Sequence, residues 1–102
     1  MVHRLAPRAR ADLDAIWEYI ARESRSEAIA DQQIDSISER FHLLASHPHL
    51  GRARDDDLGS GRRSFPVGQH VIVYRIVGGD VSILRVVHGR RDLETLFGRD
   101  ED

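Results

Sequence analysis

The sequence predicts an α+β fold: a short N-terminal strand and an antiparallel helical hairpin packed on one face of a mainly antiparallel β-sheet. Three observations carry this. Apolar residues recur at helical spacing as far as Leu44. A stretch rich in turn formers, "HPHLGRARDDDLGSG" at residues 47–61, then interrupts the pattern. Beyond it the period changes to alternation, with many β-branched and aromatic side chains. The 102 residues are expected to form one domain, residues 1–102, with a real but modest core.

Each element has its own signal. Residues 3–6, "HRLA", stand before Pro7, and a residue preceding proline is pushed towards extended geometry, so a short strand is expected. Pro7 suits the first position of a helix. Ala9, Leu13, Ile16, Trp17 and Ile20 lie at helical spacing, while Arg10, Asp14 and Glu18 recur four apart on another side. This predicts a first helix over about residues 7–23, with Trp17 in the core. A second helix starts near Ser24, which has Glu27 three residues on, or near the rival cap Ser26. Ile34, Ile37, Phe41 and Leu44 form its stripe, and Pro48 stops it near Ser46. The short break between the helices predicts a hairpin. "RRSFPV" is a short strand that Pro66 confines to an edge or an end. "QHVIVYRIV" and "VSILRVVH" form a β-hairpin. Residues 92–97, "DLETLF", form one helical turn or a strand-like tail.

Composition narrows the function. Cysteine is absent, which rules out disulfides and thiol chemistry. There is no apolar run of membrane-span length and no signal-peptide pattern, so no membrane partner and a cytoplasmic home are expected. Net charge is −2, distributed as −2 over residues 1–50, +2 over residues 51–97 and −2 over the last five. Global charge therefore gives no sign of direct nucleic-acid binding. Every basic side chain is arginine, for which a GC-rich codon bias is a sufficient account.

The hairpin register sorts the side chains. With Gly79-Asp80 as turn residues, Ile72, Tyr74, Ile76, Val81, Ile83 and Val87 share a face for the helices to cover. Val71, Val73, Arg75, Leu84, Val86 and His88 share the other, and no helix remains to cover it. An uncovered apolar face studded with cations invites a partner. Arg85 falls on the helix side, where an arginine is seldom unpaired, so an ion pair with Asp12 or Glu18 is expected.

The segments "LAPRARADLDAIWEYIA", "HPHLGRARDDDLGSGRRSFPVGQHVIVYRI" and "ILRVVHGRRDLETLF" occur in an order that resembles the RelE/ParE superfamily of bacterial toxins, and within it the ParE branch. Together they span nearly the whole chain. The resemblance implies the same α+β fold and a toxin of a type II toxin–antitoxin pair. It implies a cognate antitoxin, a small DNA-binding protein with an acidic or amphipathic C-terminal segment, through which alone operator DNA would be met. A hetero-oligomer is expected. ParE-like members are thought to poison DNA gyrase, whereas RelE-like members cut mRNA on the ribosome. RNA cleavage needs groups that move protons and cations that hold phosphorane charge. RelE-like chains carry an arginine just before the "LVY" of the central strand and often a tyrosine close to the C-terminus. The corresponding places here are Val71 and Phe97, which can do neither job. The non-nuclease branch, with no catalytic residue and no cofactor, is therefore favoured over a RelE-type endoribonuclease.

The candidate antitoxin-binding set is Val71, Val73, Arg75, Leu84 and Val86. The candidate target-binding set is His88, Arg90, Arg91, Asp92 and Phe97 at its polar rim. A histidine titrates near neutral pH, but catalysis by His88 would need a partner acid and a cleft, and sequence shows neither. For Arg90 and Arg91 a solvated turn competes with target contact. His42, His47 and His49 lack the spacing that would give one ligand face, so no metal is expected. The Asp55-Asp56-Asp57 run has no glycine-spaced calcium loop around it.

Overall fold

Pro7 sets the first helix of the computed structural model, which describes residues 2–89. The 92–97 segment, with Arg90, Arg91, Asp92 and Phe97, lies outside the described residues. Strand β1, His3–Leu5, leads through extended Ala6 into helix α1, Pro7–Ser24. Proline at the first helical position loses only an N–H that would have no partner in the helix. Arg25 ends α1 in the left-handed conformation, with φ 59°. Helix α2, Glu27–Ser46, follows at once. Of the two rival caps Ser26 is the one used: its hydroxyl accepts from the Ile29 N–H at 3.2 Å. Ser24 stays in α1, donating to the Ile20 carbonyl at 2.6 Å.

The expected loop contains two small elements, a 3-10 turn at Pro48–Leu50 and the two-residue strand β2, Arg52–Ala53. Strands β3, Arg62–Val67, β4, His70–Val77, and β5, Asp80–His88, complete the sheet in the order β1-β5-β4-β3-β2. All neighbours are antiparallel except β1, which runs parallel to β5. Among the described residues β3 has no outer neighbour at Pro66, because β2 pairs only with Arg63 and Ser64. Its missing N–H therefore costs the ladder nothing.

The two helices pack on one face. Ala9 of α1 and Ile37, Phe41 and Leu44 of α2 meet Val67, Ile72, Tyr74, Val81, Ile83 and Val86 of the sheet. Burying one side chain such as Phe41 contributes about 1.5–3 kcal/mol. Trp17 and Ile20 are only partly buried, contrary to the expectation that Trp17 is core. The Trp17 indole N–H instead donates to Asp31 at 2.8 Å, tying α1 to α2. An indole at a helix boundary can bury its ring edge while its N–H finds a polar partner.

Two corrections concern the β4–β5 hairpin. Its turn residues are Gly78-Gly79, not Gly79-Asp80, with Val77 facing Asp80. Both glycines have positive φ, 58° and 88°, as a type I′ turn requires. An Asp at the second position would have to adopt the left-handed region, which glycine enters without strain. The second correction is a bulge. Tyr74 faces Ile83 but Val73 faces Arg85, so Leu84 is an extra residue on β5. Beyond it the faces exchange. Val86, expected on the uncovered side, is buried in the helix-side core, and Val87 takes the opposite face.

Candidate interaction face and its rim

The opposite face of the sheet is not bare. Leu58, from the loop between β2 and β3, packs on Val73 and Val87, with Val71 and Leu84 partly buried beside them. Val73 is fully buried, which corrects the expectation that it lies open. The absence of a spare helix did not leave the face uncovered, because a loop with one apolar residue reaches it.

That loop is braced by polar contacts. Arg54 donates through Nε to both Asp57 carboxylate oxygens, at 3.0 and 3.1 Å, and through Nη1 to the buried Ser64 hydroxyl at 2.8 Å. Hydrogen bonding from Arg54 holds the Asp57 carboxyl below the usual carboxylate range. Asp55 accepts from the Gly61 N–H at 2.7 Å, and Arg62 donates to the Leu58 carbonyl at 2.7 Å. The acidic triplet thus supplies two loop braces, Asp55 and Asp57.

The turn before β2 is fixed from the sheet side. The buried Tyr74 hydroxyl donates to the Pro48 carbonyl at 2.7 Å and accepts from the Gly51 N–H at 2.8 Å. Arg63 holds the Gly51 carbonyl through Nε at 3.1 Å and Nη2 at 2.7 Å. A Cβ on Gly51 would lie 2.7 Å from the Tyr74 ring and 2.8 Å from the Ser64 carbonyl, so only glycine fits.

Arg85 meets Asp12, the partner expected, though in the corrected register it faces Val73 and reaches Asp12 at the edge of β5: Nε to Oδ2 is 2.8 Å and Nη2 to Oδ1 is 3.0 Å. Asp12 Oδ2 also accepts from the Val86 N–H at 2.9 Å. The reason is topological. Strand β1 stops at Leu5 opposite Ile83, and the chain turns into α1. A carboxylate on α1 then replaces the missing strand along the edge of β5.

Of the sequence-derived antitoxin set, Val71 and Leu84 remain partly exposed and Arg75 is exposed, while Val73 and Val86 are buried on opposite faces. Arg75 faces Arg62 across β3 and β4. His88 is exposed at the end of β5, with Nε2 3.4 Å from the Gln69 side-chain oxygen. Its ring stands edge-on to His70 with centroids 5.5 Å apart. At another edge His3 lies between Phe41 and His42, at centroid distances of 5.4 and 5.0 Å. Burial first, and then the nearby His42, push the His3 imidazole below its ordinary value. Among the described residues no three His, Asp or Glu side chains converge as a metal-ion cluster, and no helix is long and apolar enough to cross a membrane.

Sequence reasoning missed Leu58, Tyr74 as a pin and Arg63. The usable signal for Leu58 was a lone leucine between an acidic run and Gly59. Nothing local marked Arg63, whose partners lie 12 and 14 residues away.

Known proteins share this arrangement. The family model for the ParE toxin of type II toxin–antitoxin system, parDE, matches residues 4–93. The chain is 38% identical over 88 residues to toxin ParE3 of Caulobacter vibrioides, covering 86% of each chain. It is 31% identical to toxin ParE1 of Mycobacterium tuberculosis, covering 88% of this chain and 91% of that one. It is also 34% identical to toxin RelE3 of C. vibrioides, over 82% of this chain and 89% of the relative. The fold superposes on a chain of the chromosomal ParDE toxin–antitoxin system from P. aeruginosa with a TM-score of 0.75 at 23% identity, covering 88% and 97% of the two chains. Two helices on one face of a five-stranded mixed sheet, in a chain with relatives this similar over most of its length, make the assignment: the chain belongs to the ParE toxin family of type II toxin–antitoxin systems, within the RelE/ParE superfamily.

Proposed function

We propose that this toxin acts in the cytoplasm by binding DNA gyrase and does not cut RNA. A cognate antitoxin neutralises it in a hetero-oligomer and carries the complex to operator DNA. The observation that supports a non-nuclease most is the setting of Val71. It stands in β4 beside Ile72-Val73-Tyr74, where the RelE-type pattern has an arginine, and it packs with Val73, Leu84 and Leu58. An apolar side chain among apolar neighbours offers no charge to a phosphorane. Tyr74, one nearby group with a transferable proton, has its hydroxyl committed to Pro48 and Gly51.

The antitoxin segment would lie along Val71, Leu84 and Arg75, with apolar anchors and a flanking carboxylate for the arginine. The target would be met by His88, Arg90, Arg91, Asp92 and Phe97. The similarity to a toxin named RelE3 keeps the endoribonuclease as the reading to test against. Purified toxin is added to a gyrase supercoiling reaction and, separately, to ribosomes programmed with mRNA. Inhibited supercoiling with intact mRNA is expected. Codon-dependent cleavage that is lost in His88→Ala would overturn the proposal.

A further inference from the structure

The hairpins around β4 bring two imidazoles together at one end of the sheet. Gly68-Gln69 is a two-residue turn, with Val67 facing His70 and Gly68 at φ 60°. His70 also faces His88 on β5. The Gly89 N–H bonds the Gln69 carbonyl at 2.8 Å, so the next pair inward, His70 and His88, is a non-hydrogen-bonded pair. Side chains approach most closely at such pairs. Backbone register, not a chance of rotamers, therefore sets the two rings against each other.

The spacing of the rings suits one ion. A tetrahedral ion about 2.0–2.1 Å from each ligating nitrogen places two imidazole centroids roughly 5–5.5 Å apart and two ligand atoms roughly 3.3–3.4 Å apart. Here the centroids are 5.5 Å apart, and the Gln69 side-chain oxygen is 3.4 Å from His88 Nε2. We propose that His70 and His88, with the Gln69 amide oxygen, form a site for a borderline divalent transition-metal ion of the nickel, copper or zinc class. Imidazole suits these ions, and water would complete the coordination. The ion would clip the end of β4 to the end of β5 and stabilise the folded chain by mass action. The His3–His42 pair has similar spacing, but its rings come from a strand and a helix, and His3 is packed on Phe41.

Calorimetric titration of the untagged full chain with nickel or zinc chloride tests this. One ion per chain is expected. The apparent Kd should rise by more than the about 10-fold that loss of an outer-shell partner costs in His70→Ala and in His88→Ala. It should hold in the His47→Ala/His49→Ala double variant. Imidazole nitrogen NMR of the wild type under zinc titration gives a second measurement that needs no variant, and the His70 and His88 signals should move first. Absence of saturable binding, binding unchanged in both single variants, or first movement of the His3 and His42 signals would each overturn the site.

Discussion

The two faces of the sheet are covered in different ways. On one, α1 and α2 lay down Ala9, Ile37, Phe41 and Leu44 against six buried sheet residues. On the other, among the described residues, Leu58 reaches over Val73 and Val87, held by Arg54, Asp57 and Arg62. The helical cover is continuous and made by apolar periodicity. The loop cover, among those residues, is one apolar side chain supported by polar braces. Stability should therefore depend on the first face through volume and on the second through geometry.

Substitutions can break or sharpen that contrast, and the largest effect belongs to the helix side. Phe41→Ala should destabilise by about 3–5 kcal/mol, read by chemical denaturation. An unchanged midpoint would reject the assigned stripe. Asp12→Ala should cost about 3 kcal/mol, because it removes the carboxylate that the half-hidden Arg85 guanidinium and a β5 edge N–H both bond. Leu58→Ala should cost about 2 kcal/mol, the low end for a buried leucine, because a surface loop collapses more readily than a helix. A cost equal to that of Phe41→Ala would make the loop side a second core of the same kind.

Smaller effects come from the braces. Tyr74→Phe keeps the ring but leaves the Pro48 carbonyl and Gly51 N–H without the hydroxyl, for about 1–2 kcal/mol. The partly exposed Arg54–Asp57 pair should contribute about 1 kcal/mol or less. Because Asp57 titrates lower in the fold, that contribution is present above its ordinary value of 3.8 and is lost as pH falls below it. His3 works in the opposite charge sense. Its folded form resists the proton, so the unfolded chain protonates first and stability declines as pH falls through about 6.5. His3→Phe should flatten the stability profile there, as measured by melting at stepped pH.

The helix-side architecture was legible because its signals are local. Ile34, Ile37, Phe41 and Leu44 announce a stripe, and Pro7 and Pro48 bracket the helical hairpin. The Arg85–Asp12 pair was anticipated because a half-hidden charge needs a partner, although the face that suggested it was wrong and Arg85 reaches Asp12 at the edge of β5. The loop side was not. A bulge at Leu84 moves Val86 and Val87 to faces that strict alternation denies them, and alternation carries no mark of an inserted residue. The cover from Leu58 depends on how a loop folds back, which hydrophobic periodicity does not encode. The turn could have been placed better, since Gly78-Gly79 satisfies two positive φ angles and Gly79-Asp80 does not. The candidate antitoxin set was reduced for the same reasons: Val71, Arg75 and Leu84 keep surface, and Val73 and Val86 do not.

Pro66 bears on solubility. Past Ser64 none of the described strands lies outside β3 at Phe65, Pro66 and Val67. A bare edge of that kind is a template on which another chain can grow a sheet. Proline presents no N–H to such a chain, so an incoming strand finds a broken row of donors at the point where the apolar side chains would welcome it. A single imino acid thus guards against aggregation in a chain that carries a longer apolar strand, His70–Val77, just behind it.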